Sequence, residues 1–161
     1  MKIAIISDSH DKLENLHKAI DLINKTEAEE LIHCGDLVSP FMLKELLKFK
    51  GKIHYVYGNL EDKYHVLNEN LQYDIDIHGE SGEILRDNKW IAFIHSKEDA
   101  LKMDNLNKYH ILFYGHSHIK KKEKIGDTWF VNPGEIQGRK GTKSFASYDT
   151  ITDDIKFVEF E

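Results

Sequence analysis

One pattern recurs five times along the chain: a short apolar run that reads as a buried strand, followed at once by residues able to hold charge or metal. The runs are IAIIS before Asp8-Ser9-His10, ELIHC before Gly35-Asp36, KIHYVY before Gly58-Asn59, WIAFI before His95, and HILFY before Gly115-His116-Ser117-His118. Helix-like stretches lie between them. Lys12 to Asn24 sets Leu13, Leu16, Ile20 and Ile23 at spacings of three and four, the stripe of an amphipathic helix. Pro40, capped by Ser39, opens a second helix through Phe41 to Phe49, and a third is expected from Lys97 to Asn107. Alternating strands and helices imply parallel pairing with right-handed crossovers. In such sheets the ligand crevice lies beyond the carboxyl ends of the strands, so all five polar groups converge there.

The later chain reads as strand after strand. Ile119 to Ile125, Thr128 to Asn132, Ser144 to Asp149 and Ile155 to Phe160 are joined by turns at Gly126-Asp127, Pro133-Gly134 and Thr152 to Asp154. Leu71 to Ile77 and Glu83 to Leu85 also read as strands, with Gly79 and Gly82 marking turns. A second sheet stacked on the first is expected, and 161 residues without repeat or linker make one domain, residues 1–161. A hydrophobic share of 40% with no apolar stretch near the roughly 18 residues of a membrane span predicts a soluble protein. Met1-Lys2 leads directly into a strand with no signal-like apolar region, so a cytoplasmic location is expected. The lone Cys34 excludes an intrachain disulfide and a thiolate zinc site, and reads as a small buried hydrophobe. A net charge of −6 argues against extended nucleic-acid binding and leaves room for a small phosphorylated substrate. The basic run Lys120 to Lys124 is the wet end of a hairpin. Trp90, Trp129 and the aromatic C-terminal strand are compatible with core or with a homo-oligomer interface.

Asp8, His10, Asp36, Asn59, His95, His116 and His118 offer two carboxylates, four imidazoles and one amide oxygen. Hard oxygens beside borderline imidazoles suit Mn, Fe, Ni, Zn or Co. Seven ligands exceed the needs of one ion. Two ions sharing a bridging carboxylate, about 3.5–4 Å apart, would use them all, at the separation that suits in-line displacement at phosphorus. In Asp8-x-His10 and His116-x-His118, alternate residues at a strand end point the same way and reach toward one ion. Gly35, Gly58 and Gly115 each precede a candidate ligand and support the site without binding it. Each candidate alone would pass as a turn, cap or core residue; their joint order does not. The remaining histidines, His17, His33, His54, His65, His78 and His110, fall outside the pattern and read as structural.

The ordered set D-S-H, G-D, G-N, H and G-H-S-H resembles the calcineurin-like metallophosphoesterase superfamily. In length and in the later NPGE (Asn132 to Glu135) the chain is similar to its small archaeal and bacterial phosphodiesterase subfamily, which also contains the retromer subunit Vps29. The resemblance spans the whole chain. It implies an α/β fold in four layers, a sandwich of two stacked mixed β-sheets flanked by α-helices. By position, Asp8, His10, Asp36 and His118 would hold a first divalent ion and Asp36, Asn59, His95 and His116 a second, with Asp36 bridging. Manganese is foremost, with Ni, Fe, Zn, Co or Mg as alternatives. The superfamily often reads G-N-H-D/E, whereas this chain has Gly58-Asn59-Leu60-Glu61; the small subfamily generally lacks that histidine too. Leu60 cannot donate a proton, and Glu61 takes the acidic, site-orienting position. Ser96 stands where relatives usually have glycine, either narrowing the approach or adding a hydroxyl contact.

The expected activity is a metal-dependent phosphodiesterase on small or nucleotide-like diesters, with metal-activated hydroxide attacking phosphorus. Asp36, Asn59 and His95 are expected at the reacting group, and Asn59, Asn132 and Gly134 against substrate phosphate. The stretch Glu61 to Asn70 is expected to shape specificity. Two alternatives stand beside this reading: a Vps29-like interaction scaffold with weak catalysis, and a phosphomonoesterase or nucleotide pyrophosphatase on the same site.

Overall fold

Burial on both faces accounts for the unbroken apolar runs. In β1 (Lys2–Ile6), Ile3 and Ile5 point to one side, Ala4 and Ile6 to the other, and all four are inside the protein. The computed structural model describes residues 1–161. After β1 come α1 (Leu13–Ile23), β2 (Glu30–His33), α2 (Leu43–Leu46), β3 (Lys52–Tyr55), α3 (Lys63–Asn70) and β4 (Ile75–Ile77). Then follow β5 (Ser81–Arg86), β6 (Lys89–Ile94), α4 (Lys97–Ala100), β7 (Ile111–Phe113), β8 (Lys121–Ile125), β9 (Thr128–Asn132), β10 (Ser144–Asp149) and β11 (Ile155–Glu159).

One sheet has the order β11-β10-β1-β2-β3-β4 and the other β5-β6-β7-β9-β8. β1 to β4 are parallel in the first and β6, β7 and β9 in the second; antiparallel partners outside them make both sheets mixed. Between the sheets, Ile3, Ile5, Ile32 and Val56 meet Ile91, Phe93, Ile111 and Phe113. Truncating fully buried Phe93 or Phe113 to alanine would cost about 3–5 kcal/mol. On the outer face of the first sheet, Ala4, Ile6, Leu31 and Ile53 lie under α1 and α2 through Leu16, Ile20, Leu43 and Leu46. On the outer face of the second, Ala92, Leu112 and Phe130 pack with Ala100 and Tyr109. The four-layer sandwich expected from the resemblance is therefore the fold observed. No helix is long and apolar enough to cross a membrane. The basic run lies on β8, an edge strand, where Lys122 and Lys124 lie over the Trp129 ring and their charges discourage edge pairing.

Several boundaries differ from expectation for local reasons. The second helix begins with a 3-10 turn at Pro40–Met42, and α2 ends at Leu46 so that the chain can turn Phe49 into the core. Ser39 occupies the cap position, yet its hydroxyl donates to Asp11 Oδ2 (2.6 Å), tying the helix entry to the loop after His10. The third helix stops at Ala100, and Asn105 at φ 58° reverses the chain before a 3-10 turn. Leu71 is 85% exposed and outside β4, which is three residues long. Gly82 lies inside β5 and not at a turn, because the Phe93 ring fills the space a side chain would need. Glu61 to Asn70, the stretch expected to shape specificity, contains α3. It buries only Val66, so no apolar stripe announces it, and its N-terminus is capped by Asp62, which accepts from the His65 N–H (3.2 Å).

Candidate metal centre

The five strand ends lie together, β1, β2 and β3 contributing from one sheet and β6 and β7 from the other. Backbone bonds stitch their loops: Asp8 N to Gly35 O (3.1 Å), His10 N to Asp36 O (3.0 Å) and Gly115 N to His95 O (2.9 Å). Five of the seven candidate ligands, Asp8, His10, Asp36, His116 and His118, adopt φ between 42° and 66°, a region non-glycine residues seldom occupy. Their side chains therefore leave tight left-handed turns, and the strand-like alternation expected for Asp8-x-His10 and His116-x-His118 does not apply. Strain of this kind persists where surrounding contacts over-determine it, typically at functional sites.

Two nests of donors result. Around the first, His118 Nε2 is 3.4 Å and His10 Nε2 3.7 Å from Asp8 Oδ1, and His10 Nε2 is 3.5 Å from Asp36 Oδ2. Around the second, His95 Nε2 is 3.4 Å from Asp36 Oδ2 and 3.0 Å from Asn59 Oδ1, and His116 Nδ1 is 3.1 Å from Asn59 Oδ1 and 3.3 Å from His95 Nε2. His116 and His118 thus divide between the nests. Donors held about 2.1 Å from one ion lie about 3.0–3.4 Å apart, close to these separations. Asp8 Oδ1 and His10 Nε2 are buried with no hydrogen-bond partner, which a cation between them would supply. The residues present fit a pair of divalent ions.

The surroundings fix the donors' orientation. His118 Nδ1 donates to Glu135 Oε2 (2.6 Å) and His95 Nδ1 to the Cys34 carbonyl (2.8 Å), so both rings turn Nε2 toward the nests, the usual outer support of metal-bound histidine. Burial pushes the Glu135 carboxyl up, but His118 and the backbone N–H groups of Lys140 and Gly141 outweigh it and hold the carboxyl ionised. Burial likewise opposes charge on Asp36 and His95, yet their mutual contact wins: the Asp36 carboxyl lies below its ordinary range and the His95 imidazole above. Glu61 accepts from Leu37 N (2.6 Å), Gly58 N (2.6 Å) and the Tyr55 hydroxyl (2.5 Å), clamping the Asp36 loop to the Asn59 loop as its expected orienting role requires. Gly58 is needed for close approach: a Cβ there would lie 2.0 Å from Asp36 Oδ1.

Asn132 is fully buried; its amide donates to Gly115 O (2.8 Å) and Ser117 Oγ (3.0 Å), and its Oδ1 accepts from Gly134 N (2.9 Å). Asn132, its side chain held by Gly134 N, thus braces the loop carrying His116 and His118. Ser96 lines the cleft as one of its two expected roles requires, and its hydroxyl also caps α4, accepting from Asp99 N (3.1 Å) and donating to Asp99 Oδ2 (2.8 Å). Two supports lay outside the expected set. Glu135, quoted within NPGE without a role, anchors His118. His33 accepts from Gly35 N at Nδ1 (3.1 Å) and bonds Ser9 Oγ through Nε2 (3.1 Å), linking two ligand loops from the core. No spacing signal distinguishes His33 from any other strand histidine.

A cleft of about 600 Å³ opens beside the second nest, over Asn59, His95 and His116, with Tyr57, Lys63, Glu80, Glu98 and Asp99 on its walls. Lys63 pairs with Glu80 at its rim.

Clustered carboxylates and imidazoles at the carboxyl ends of two stacked mixed sheets define a metal-dependent hydrolase architecture. Residues 1–153 match the model of the calcineurin-like phosphoesterase superfamily domain, and the chain belongs to that family. It is similar to phosphodiesterase MJ0936 of Methanocaldococcus jannaschii, 35% identical over 145 residues covering 86% of each chain. Among solved structures, an archaeal phosphodiesterase superposes with TM-score 0.89 at 30% identity over 99% of this chain and 100% of that one. Vps29 of Chaetomium thermophilum shares the fold, with TM-score 0.73 at 15% identity over 99% and 97% of the two chains.

Proposed function

We propose that this phosphoesterase hydrolyses small or nucleotide-like phosphodiesters with two divalent ions, manganese foremost, held in the two nests. The observation that carries the reading is Asp36: its Oδ2 lies 3.5 Å from His10 Nε2 and 3.4 Å from His95 Nε2, so one oxygen belongs to both nests. When bound, the ions supply an ionised water for attack on phosphorus and neutralise charge gathering on the phosphoryl oxygens. Everything else falls to the chain. Asn59, His95 and His116 line the cleft in which a phosphoryl group would rest, and Asp36 is buried beside them. Glu61, Glu135 and the Cys34 carbonyl hold the donors in place, so little reorganisation is needed as charge develops. Leu60, 53% exposed, offers no proton to the leaving group.

The cleft supports diesters over monoesters. Glu80, Glu98 and Asp99 outnumber Lys63 on its walls, and a monoanionic diester meets less repulsion there than a dianionic monoester. The resemblance to a protein named as a phosphodiesterase agrees. Retention of all seven donors in one place speaks for turnover and against a pure interaction scaffold. The test is hydrolysis of bis-p-nitrophenyl phosphate and p-nitrophenyl phosphate with Mn²⁺, Ni²⁺ or Mg²⁺, with Asp36→Asn as control. The diester should turn over faster, and the variant should lose the activity. Bound metal with no turnover of either compound would refute the proposal.

A further inference from the structure

Away from the two nests, β3 and β4 bring together another set of donors. Asp76 and His78 stand two residues apart at the end of β4, and His54 is the direct partner of Asp76 across the parallel β3–β4 ladder. His54 Nδ1 lies 3.0 Å from His78 Nε2 and 3.6 Å from Asp76 Oδ2, and the three donor atoms all fall within 4.8 Å of one another. Around a tetrahedral ion with bonds of about 2.1 Å, neighbouring donors lie about 3.4 Å apart, which these separations bracket.

The far side of His54 is also arranged as a metal-bound histidine requires. Its ring is 1% exposed, and Nε2 faces Glu30 Oε2 at 3.4 Å without a hydrogen-bond partner. Glu30 is kept ionised by Arg86, whose Nε bonds both carboxylate oxygens at 2.9 and 3.1 Å. An ionised carboxylate on that side draws the ring proton to Nε2 and leaves the Nδ1 lone pair facing His78 and Asp76. Burial, followed by the neighbouring His54, holds the His78 imidazole below its ordinary pKa, which favours a free lone pair on the ring. The Phe93 ring stands edge-on to His78 at 4.9 Å and walls the cluster from the core.

We propose that His54 Nδ1, Asp76 Oδ2 and His78 Nε2 form a third divalent-ion site, of the zinc class, with water completing the coordination. Two imidazoles and one carboxylate are the donor set that zinc takes when one position stays open. Lys52 Nζ, 2.8 Å from Asp76 Oδ2, is the resident competitor; its side chain is 52% exposed and free to swing into solvent as the ion enters. A bound ion clips β4, a three-residue edge strand, to β3 and steadies the Gly79-Glu80 segment that reaches the wall of the cleft.

The experiment is equilibrium dialysis of metal-freed protein against Zn²⁺, comparing wild type with His78→Ala and with Asp76→Asn, which keeps the side-chain shape should the first variant fold poorly. His78→Ala should bind one ion per chain fewer than wild type, Asp76→Asn should bind that ion at least about tenfold more weakly, and zinc should raise the melting temperature less in both. The same difference should persist in the Asp36→Asn background, which separates this site from the shared centre. A zinc-edge anomalous peak should lie between His54 and His78 in crystals soaked with the ion. Equal zinc stoichiometry and affinity in wild type and both variants, with no anomalous peak at the cluster, would overturn the proposal and leave a hydrogen-bonded histidine pair.

Discussion

His33 makes the stability of the metal-free protein depend on pH in a way that can be calculated. Its ring is fully buried; burial, only partly opposed by Asp8, lowers its pKa from 6.5 to about 3. Nδ1 accepts from Gly35 N, so the neutral ring carries its proton on Nε2, facing Ser9 Oγ; a second proton would set one N–H against another. The folded state therefore holds His33 neutral where the unfolded chain protonates it. Below pH 6.5 the unfolded state binds more protons, so this stability is fully present above 6.5 and lost as pH falls toward 3. Each pH unit in that window costs about 1.4 kcal/mol, which amounts to about 2 kcal/mol at pH 5. Carboxylates contribute their own pH dependence, so the measurement is a difference. Urea unfolding of wild type and His33→Asn, both in EDTA, is compared at pH 7 and pH 5. The variant is less stable at pH 7, having lost packing, but its loss between the two pH values should be smaller by about 2 kcal/mol. Equal losses in the two proteins would refute the reasoning.

The outer support of the nests predicts further effects. Glu135→Gln keeps the shape beside His118 but removes the charge, and should weaken the affinity of the centre for Mn²⁺ by about 10- to 100-fold in a calorimetric titration; unchanged affinity would mean that Glu135 serves only its loop. Gly58→Ala places a methyl 2.0 Å from Asp36 Oδ1 and should lower kcat/KM by about 100-fold or more with the fold intact by circular dichroism. With Leu60 where a proton donor would stand, aryl phosphodiesters should outrun alkyl ones in proportion to the stability of the departing alkoxide, and equal rates on the two series would show that another group supplies the proton.

The strand ends are readable because an apolar run must stop where the sheet stops, and a candidate ligand follows at once or after one glycine. Asp8, Asp36, Asn59, His95, His116 and His118 all stand out that way. Helices were readable in proportion to the apolar stripe they bury. α1 lays Leu16, Ile20 and Ile23 on the core and matches expectation closely, whereas α3 buries Val66 alone and escapes notice. Supports are harder to read than ligands, because what makes Glu135 and His33 important is a contact across many residues and not a local pattern. Asn132 makes the same point: its amide bonds to Gly115 O, Ser117 Oγ and Gly134 N are contacts that no local pattern announces. Strain was equally invisible, since the left-handed conformations at five ligands arise from how neighbouring loops close on one another.

Asp36 would serve both ions of the proposed pair, and electron paramagnetic resonance of the manganese-loaded protein reports whether two ions share it. At two Mn²⁺ per chain an exchange-coupled spectrum is expected, replaced in Asp36→Asn by the signal of isolated ions or by loss of binding. A wild-type spectrum of uncoupled, isolated Mn²⁺ at full loading would contradict it.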